Sequence, residues 1–300
     1  MEENSLNIEQ SINYFNSKSF NSYKEWLDSK LILQKHSTLF LYFHLNNFIT
    51  KHSNTLQIER FIYLEKLFFY TLELKLLGES KKILREFHIN FGGEPKIMKM
   101  EAQLAELLDT QKALEYYKKL VILNQEDRVS LKKYIGLLKS SFSMSHEDLK
   151  KLIDMWNEYL KVYMDDHEAW YELSDVYLLS CNYTKAVYCL EEVILHQPNN
   201  FNIYTKLGDI LSTLNNSEAA ANAIKYYSQS ILIKPTPRAF WGIIAAINIY
   251  LKYNKGKDDT GSISGMREKY KILHKVAKVN LDNFYAKFPI KLCLEEFYDI

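Results

Sequence analysis

Few residues of this chain have the types and spacing that chemistry needs. Three histidines, His36, His44 and His52, recur every eight positions. On a helix that is about 12 Å of rise and about 80° of rotation, too far apart to share one metal, whereas helical ligand pairs sit at i, i+4. His167-Glu168 is not followed by the second histidine that a zinc-hydrolase helix carries. Cys181 and Cys189 lie eight apart across a turn with no partner pair, so both are expected to pack in the core. Gly256-Lys257-Asp258-Asp259-Thr260-Gly261-Ser262 has the look of a phosphate cradle. It lacks the Lys-Ser/Thr pair after its second glycine, and Ile249-Tyr250-Leu251 before it belongs to a helix where a P-loop needs a strand. Glu191-Glu192 and Glu295-Glu296 read as solvated helix faces. No nucleophile stands with a base and an orienting group, so the expectation is no catalytic residue, no metal and no cofactor.

Composition narrows the class further. The 300 residues are 47% hydrophobic and 14% aromatic, enough to build a core, while 9 Gly and 5 Pro are too few for an all-β protein full of tight turns. A formal net charge of +1 encodes no general attraction to nucleic acid or anionic lipid. Three cysteines, Cys181, Cys189 and Cys293, suit a reducing compartment. The stretch MEENSLNIEQSINYF has no basic segment followed by an apolar one, so no signal peptide is expected. The longest uncharged apolar run, 239–251, is 13 residues, against about 20 for a membrane span. A soluble, cytosolic chain is expected, reaching a membrane by binding something embedded there.

The elements that position all of this are repeats. Residues 167–200 carry Trp170, Leu173 and Tyr177, then Ala186 and Leu190, then Pro198. Those types at those separations are the pattern of a 34-residue tetratricopeptide repeat, a helix–turn–helix unit. Trp170, Leu173 and Tyr177 recur at three and four and share a face of the first helix, helix A. Ala186 is small where helix B approaches helix A, and Leu190 and Val193 continue its apolar stripe. Pro198 cannot continue a helix and ends the unit. Asp165 and Asp166 stand where acids cap a helix start.

A lone repeat cannot bury its apolar face, so the register extends both ways. Residues 1–59 are expected to form N-terminal capping helices, with 1–13 frayed and 38–50 helical. Repeats are placed at 60–93, 94–127, 128–166, 167–200, 201–237 and 238–285, followed by a tail at 286–300. The first has Tyr63, Leu67 and Tyr70 on helix A and a second helix near 79–91 broken by Gly92-Gly93. The second has Ile97, Met100 and Leu104, then Ala113, Tyr117 and Leu120. The third places Leu131, Tyr134 and Leu138 on helix A and Leu152, Trp156 and Tyr159 on helix B, around a serine-rich loop at 140–145. The fifth matches well, with Tyr204, Leu207, Gly208, Ala223, Tyr227 and Pro235. The sixth begins with Trp241, Ile244 and Asn248 and closes with a helix near 266–285. The fold expected is an all-α, right-handed tetratricopeptide-repeat solenoid of about six helix pairs with capping helices.

Repeat arrays bind along the face their A helices line. By register that face carries Glu168, Tyr171, Asp175 and Leu178, then Asn202, Thr205, Asp209 and Ser212, then Val129, Lys132, Gly136 and Lys139. One kind of array grips a chaperone's terminal carboxylate with Lys and Asn at such places, and the aspartates here are expected to repel one. Charge reversal at Asp175 and Asp209 is expected to weaken partner binding and leave the thermal melt unchanged.

Residues 152–246 go further than a generic repeat. Glu158-Tyr159-Leu160, the stretch from Asp166 to Leu173, Tyr183 to Glu192, and Lys225-Tyr226-Tyr227 resemble the family of subunit 2 of the endoplasmic reticulum membrane protein complex. Glu168, Glu172, Lys185, Cys189, Glu191 and Glu192 carry the resemblance, since none belongs to the repeat's own signature. Weaker similarity reaches back to about Arg60. The resemblance implies a peripheral scaffold on the cytoplasmic face of the endoplasmic reticulum membrane. It implies a hetero-oligomer with the other subunits, a hold on cytosolic tails and loops of the membrane-embedded ones, and membership of a complex that inserts transmembrane segments. The alternative is a soluble adaptor, a co-chaperone or an RNA-processing scaffold; the near-zero net charge argues against direct RNA binding.

Overall fold

Helices begin where the sequence supplies a side-chain acceptor. Asp109 accepts from the N–H groups of Gln111 and Lys112, and Asp166 from those of Glu168 and Ala169. Ser145, Asn200, Asn216 and Thr236 each accept one such bond at the start of their own helix. These caps satisfy donors that a helix start leaves without an internal partner. The computed structural model describes residues 19–28, 37–56, 59–124, 126–143, 145–254 and 261–286, and every described element is a helix.

The chain divides into two compact units, Met1–Ser141 and Phe142–Ile300, and the division falls at the serine-rich loop. The first unit holds α1 (Phe20–Asp28), α2 (Thr38–Lys51), α3 (Ser53–Leu56), α4 (Arg60–Glu73), α5 (Leu77–Phe91), α6 (Pro95–Leu108), α7 (Thr110–Leu123) and α8 (Arg128–Ser141). Here α2 packs on α4, and α4 to α8 pack each on the next. The second unit holds α9 (His146–Val162), α10 (His167–Leu179), α11 (Tyr183–His196), α12 (Phe201–Thr213), α13 (Ser217–Ile233), α14 (Pro237–Tyr253) and α15 (Gly261–Tyr285). Each again packs on the next, and α12 also touches α14. The architecture is that of a tetratricopeptide-repeat protein.

The buried stripes follow the repeat pattern. Tyr63 and Leu67 on α4, Ile97, Met100 and Leu104 on α6, and Ala113, Tyr117 and Leu120 on α7 are buried. So are Leu152, Trp156 and Tyr159 on α9, Leu173 and Tyr177 on α10, Ala186, Leu190 and Val193 on α11, and Leu207, Ala223 and Tyr227. Tyr70 is half-buried. Gly92 ends α5, with Gly93 at φ +93°. Three A helices end in a left-handed residue, Lys75, Cys181 and Asn215, with φ of 57°, 57° and 54°. Behind two of these the next N–H reaches back five residues: Leu76 to the Thr71 carbonyl and Asn182 to the Tyr177 carbonyl, both at 2.8 Å. That closure satisfies carbonyls at the helix end.

Several expectations change. Cys181 is exposed because it occupies that turn, whereas Cys189 is in the core, where burial pushes its thiol up to about 12. Leu131, Tyr134 and Leu138 are half-buried; Ser130 and Ile135 are the buried residues of α8. On that inward face the Ser130 hydroxyl donates to the Asp127 carboxylate at 2.6 Å. Trp170 and Trp241 lie at the margin of their stripes and are half-buried. Pro198 and Pro235 are exposed beyond their helices. The closing helix starts at Gly261, and Leu77 opens α5 two residues before Glu79. His44 is fully buried, its Nδ1 3.0 Å from the Tyr23 hydroxyl, and burial followed by Lys51 lowers the pKa of His52. Residues 1–13, His36, the loop 255–260 and the tail from 287 with Glu295, Glu296 and Cys293 lie outside the described residues.

Two outcomes test this packing. Ala186 is fully buried against its neighbours, so Ala186→Leu costs about 1–3 kcal/mol in denaturant unfolding; an unchanged midpoint would refute the register. Burial raises the Asp127 pKa, but hydrogen bonds from Ser130 and Lys99 outweigh it and leave the pKa below the ordinary 3.8. A folded pKa below the unfolded one adds stability above the ordinary value, and the gain fades as pH falls through the folded pKa. The stability gap between the parent and Asp127→Asn therefore closes with acidification, read from melts taken along a descending pH series.

Candidate interaction surface

Neighbouring A helices are tied by ion pairs. In the first unit the Lys96 ammonium on α6 lies 2.6 Å from Glu65 on α4, and Lys133 on α8 lies 2.9 Å from Glu106 on α6. In the second unit Lys206 on α12 lies 2.6 Å from Asp175 on α10 and also 3.7 Å from the centre of the Tyr171 ring. Arg238 on α14 donates through Nε at 3.1 Å, and through its terminal nitrogen, to Asp209 on α12. Each acid thus belongs to one repeat and its base to the following one.

Two of these acids also anchor a buried tyrosine from helix B. The Tyr227 hydroxyl donates to Asp209 at 2.7 Å, and the Tyr117 hydroxyl donates to Glu106. Burial first, and the neighbouring carboxylate second, push both phenols well above their usual pKa, so they remain donors. The Tyr227 ring lies between two glycines. A methyl carbon at Gly208 on α12 would meet it at 2.7 Å, and one at Gly242 on α14 would come closer still. Three helices therefore converge on one side chain. On the outer layer the Tyr226 hydroxyl donates to Glu191 of α11 at 2.7 Å.

The residues expected to line the A-helix face fare differently. Glu168, Tyr171 and Asn202 are exposed. Asp175 and Asp209 are on the face, but Lys206 and Arg238 hold their carboxylates, so repulsion of an incoming carboxylate loses its force there. Their reversal also breaks repeat-to-repeat ties, so an unchanged melt is no longer expected. Thr205 is not available: it is 4% exposed, and its hydroxyl bonds the Ser230 hydroxyl at 2.7 Å and the Phe201 carbonyl at 3.0 Å. Lys132 and Lys139, in the first unit, are half-buried. Of the repeat signature, Leu173, Tyr177, Ala186, Leu190, Tyr204, Leu207, Gly208, Ala223 and Tyr227 are buried. The Trp170 indole N–H instead donates to the Met164 carbonyl at 2.9 Å, and that of Trp241 to the Tyr285 hydroxyl at 3.2 Å. Sequence reasoning missed Lys206, Arg238 and Gly242. Gly242 carried no repeat signal, since it is the fifth residue of its repeat where Gly208 is the eighth.

With this geometry in place, comparison with known proteins shows what the chain is similar to. The model of the EMC2 TPR-like repeat domain matches residues 93–231. The chain is 31% identical over 165 residues to ER membrane protein complex subunit 2 of Dictyostelium discoideum, covering 52% of this chain and 48% of that protein. It is 26% identical over 204 residues to subunit 2-A of Xenopus laevis, covering 67% of each. The match thus spans about half of one relative and about two thirds of the other. Among solved structures, the C-terminal part of a TPR repeat-containing protein from Cytophaga hutchinsonii aligns at a TM-score of 0.59 with 14% identity. That alignment covers 88% of this chain and 98% of that one, and the likeness is one of fold. The EMC2-matched segment contains the rungs Glu106–Lys133 and Asp175–Lys206 and the Tyr227 ring, while Arg238 and Gly242 lie just past its end.

The convergence on Tyr227 is testable by equilibrium unfolding. Gly208→Ala and Gly242→Ala each force that ring to move and cost about 1–3 kcal/mol. Asp209→Ala leaves a buried phenol without its acceptor and costs about 1–3 kcal/mol, while Tyr227→Phe costs about 1 kcal/mol. The double variant should lose less than the sum of the singles, because the two residues share one bond; strict additivity would disprove the coupling.

Proposed function

We propose that the chain is a scaffold subunit of an endoplasmic reticulum membrane protein complex, peripheral on the cytoplasmic face. In this reading it holds cytosolic tails and loops of membrane-embedded subunits, within a complex that inserts transmembrane segments. It supplies no catalysis itself. The observation that carries the reading is the EMC2 match over 93–231, supported by relatives named as subunit 2 of that complex. That no described helix is long and apolar enough to cross a membrane agrees with a peripheral position. The docking track in this reading is the A-helix face of each unit, where Glu168, Tyr171 and Asn202 present polar and aromatic side chains to solvent. Binding there relies on hydrogen bonds and ring contacts, since the aspartates are already paired.

Affinity purification of the full chain from detergent-solubilised membranes should recover proteins with several membrane spans. Recovery of soluble proteins alone would sink the reading. A Tyr171→Ala/Asn202→Ala variant should lose part of that recovery while its stability changes by no more than about 1 kcal/mol. Undiminished recovery would remove the face from the proposal.

A further inference from the structure

A second surface lies away from the A-helix face, within the second unit. An open groove of about 820 Å³ runs between α9 and α11, floored by Trp170. Trp170 and Tyr188 meet edge to face with ring centres 6.0 Å apart, and the bond from the Trp170 indole to Met164 fixes that corner. Asp154 and Glu158 of α9 and Glu192 of α11 rim the groove, against the single ammonium of Lys161. Asp154, Glu158 and Tyr188 are exposed, and Met164 beside them is 68% exposed. None of the three acids takes part in the ties between A helices described above.

We propose that this groove docks an arginine-bearing segment of another polypeptide, its guanidinium stacked in the Trp170–Tyr188 corner and paired with the rim carboxylates. The charge balance selects the occupant. Three carboxylates facing one ammonium repel an acidic segment, and a purely apolar one would strip water from those acids and return no partner. The aromatic corner favours a cation that can stack, and a guanidinium stacks and bonds carboxylates in pairs where an ammonium acts as a point charge. From Asp154 to Lys161 the rim extends about 10 Å along α9, the length of about three extended residues. The fit is to a short segment, not to a globular face. The inference rests on the scaffold reading only in taking a polypeptide as the occupant.

The test uses the full chain with 5-fluorotryptophan at its four tryptophans, the Trp170 resonance being assigned with Trp170→Phe. The probes are the capped peptide Ala-Arg-Leu-Arg-Ala and its counterpart with glutamate for arginine. The arginine peptide should shift the Trp170 resonance saturably and leave the buried Trp156 resonance in place. An Asp154→Lys/Glu158→Lys variant should bind it roughly tenfold or more weakly with an unchanged melt, because both residues are exposed. Absence of a shift, an equal shift with the glutamate peptide, or unaltered binding by the variant would overturn the proposal. So would a Trp170 resonance that moves with protein concentration alone, which would make a second copy the occupant. None of these outcomes bears on recovery of membrane proteins from detergent, so this proposal and the scaffold reading can fail separately.

Discussion

The second unit depends on a ring with no spare room around it. Tyr227 occupies the space that side chains at Gly208 and Gly242 would fill, and its hydroxyl ends on a carboxylate that Arg238 also holds. A repeat protein has few contacts between residues distant in sequence, so its shape is set by how each helix pair seats on the next. Here one side chain from helix B touches the A helices of its own repeat and the following one. Seating and burial are therefore the same event. Loss of either glycine would disturb both at once.

The first unit reaches a related arrangement with different parts. Tyr117 sits at the position of Tyr227, Glu106 accepts its hydroxyl, and Lys133 of the following A helix closes the chain of contacts. The 167–200 repeat departs from it: Leu190 stands where the tyrosine would be, and Asp175 is held by Lys206 alone. Packing there is wholly apolar at the same point. The ion pairs in all these places are partly exposed and each adds little by itself. Their contribution is to fix the direction in which one helix pair follows another.

Much of the fold was legible because tetratricopeptide packing repeats its residue sizes. Leu173, Ala186, Leu207 and Ala223 are buried where the pattern puts them. The A-helix face was less legible, because register gives the direction of a residue but not its partner. Thr205 points toward that face by count yet is consumed by Ser230 of the neighbouring helix. Asp175 and Asp209 look like free charges until Lys206 and Arg238, 31 and 29 residues later, are brought beside them. Trp170 shares its helix face with Leu173 and Tyr177 by spacing, but spacing does not give depth: its indole N–H is held at the margin by the Met164 carbonyl. Cys181 reads as core in the sequence because a turn residue with positive φ leaves no mark in composition.

The pairing of acids along the A helices has an electrostatic consequence. A wall whose charges are cancelled within the molecule projects little field beyond it, so encounter with a partner on that side gains little from long-range steering. Its association rate should vary weakly with ionic strength. The two sides of the second unit would then differ in kind: one recognises by shape at close range, and the other, where three carboxylates outnumber one ammonium, draws its ligand in from a distance.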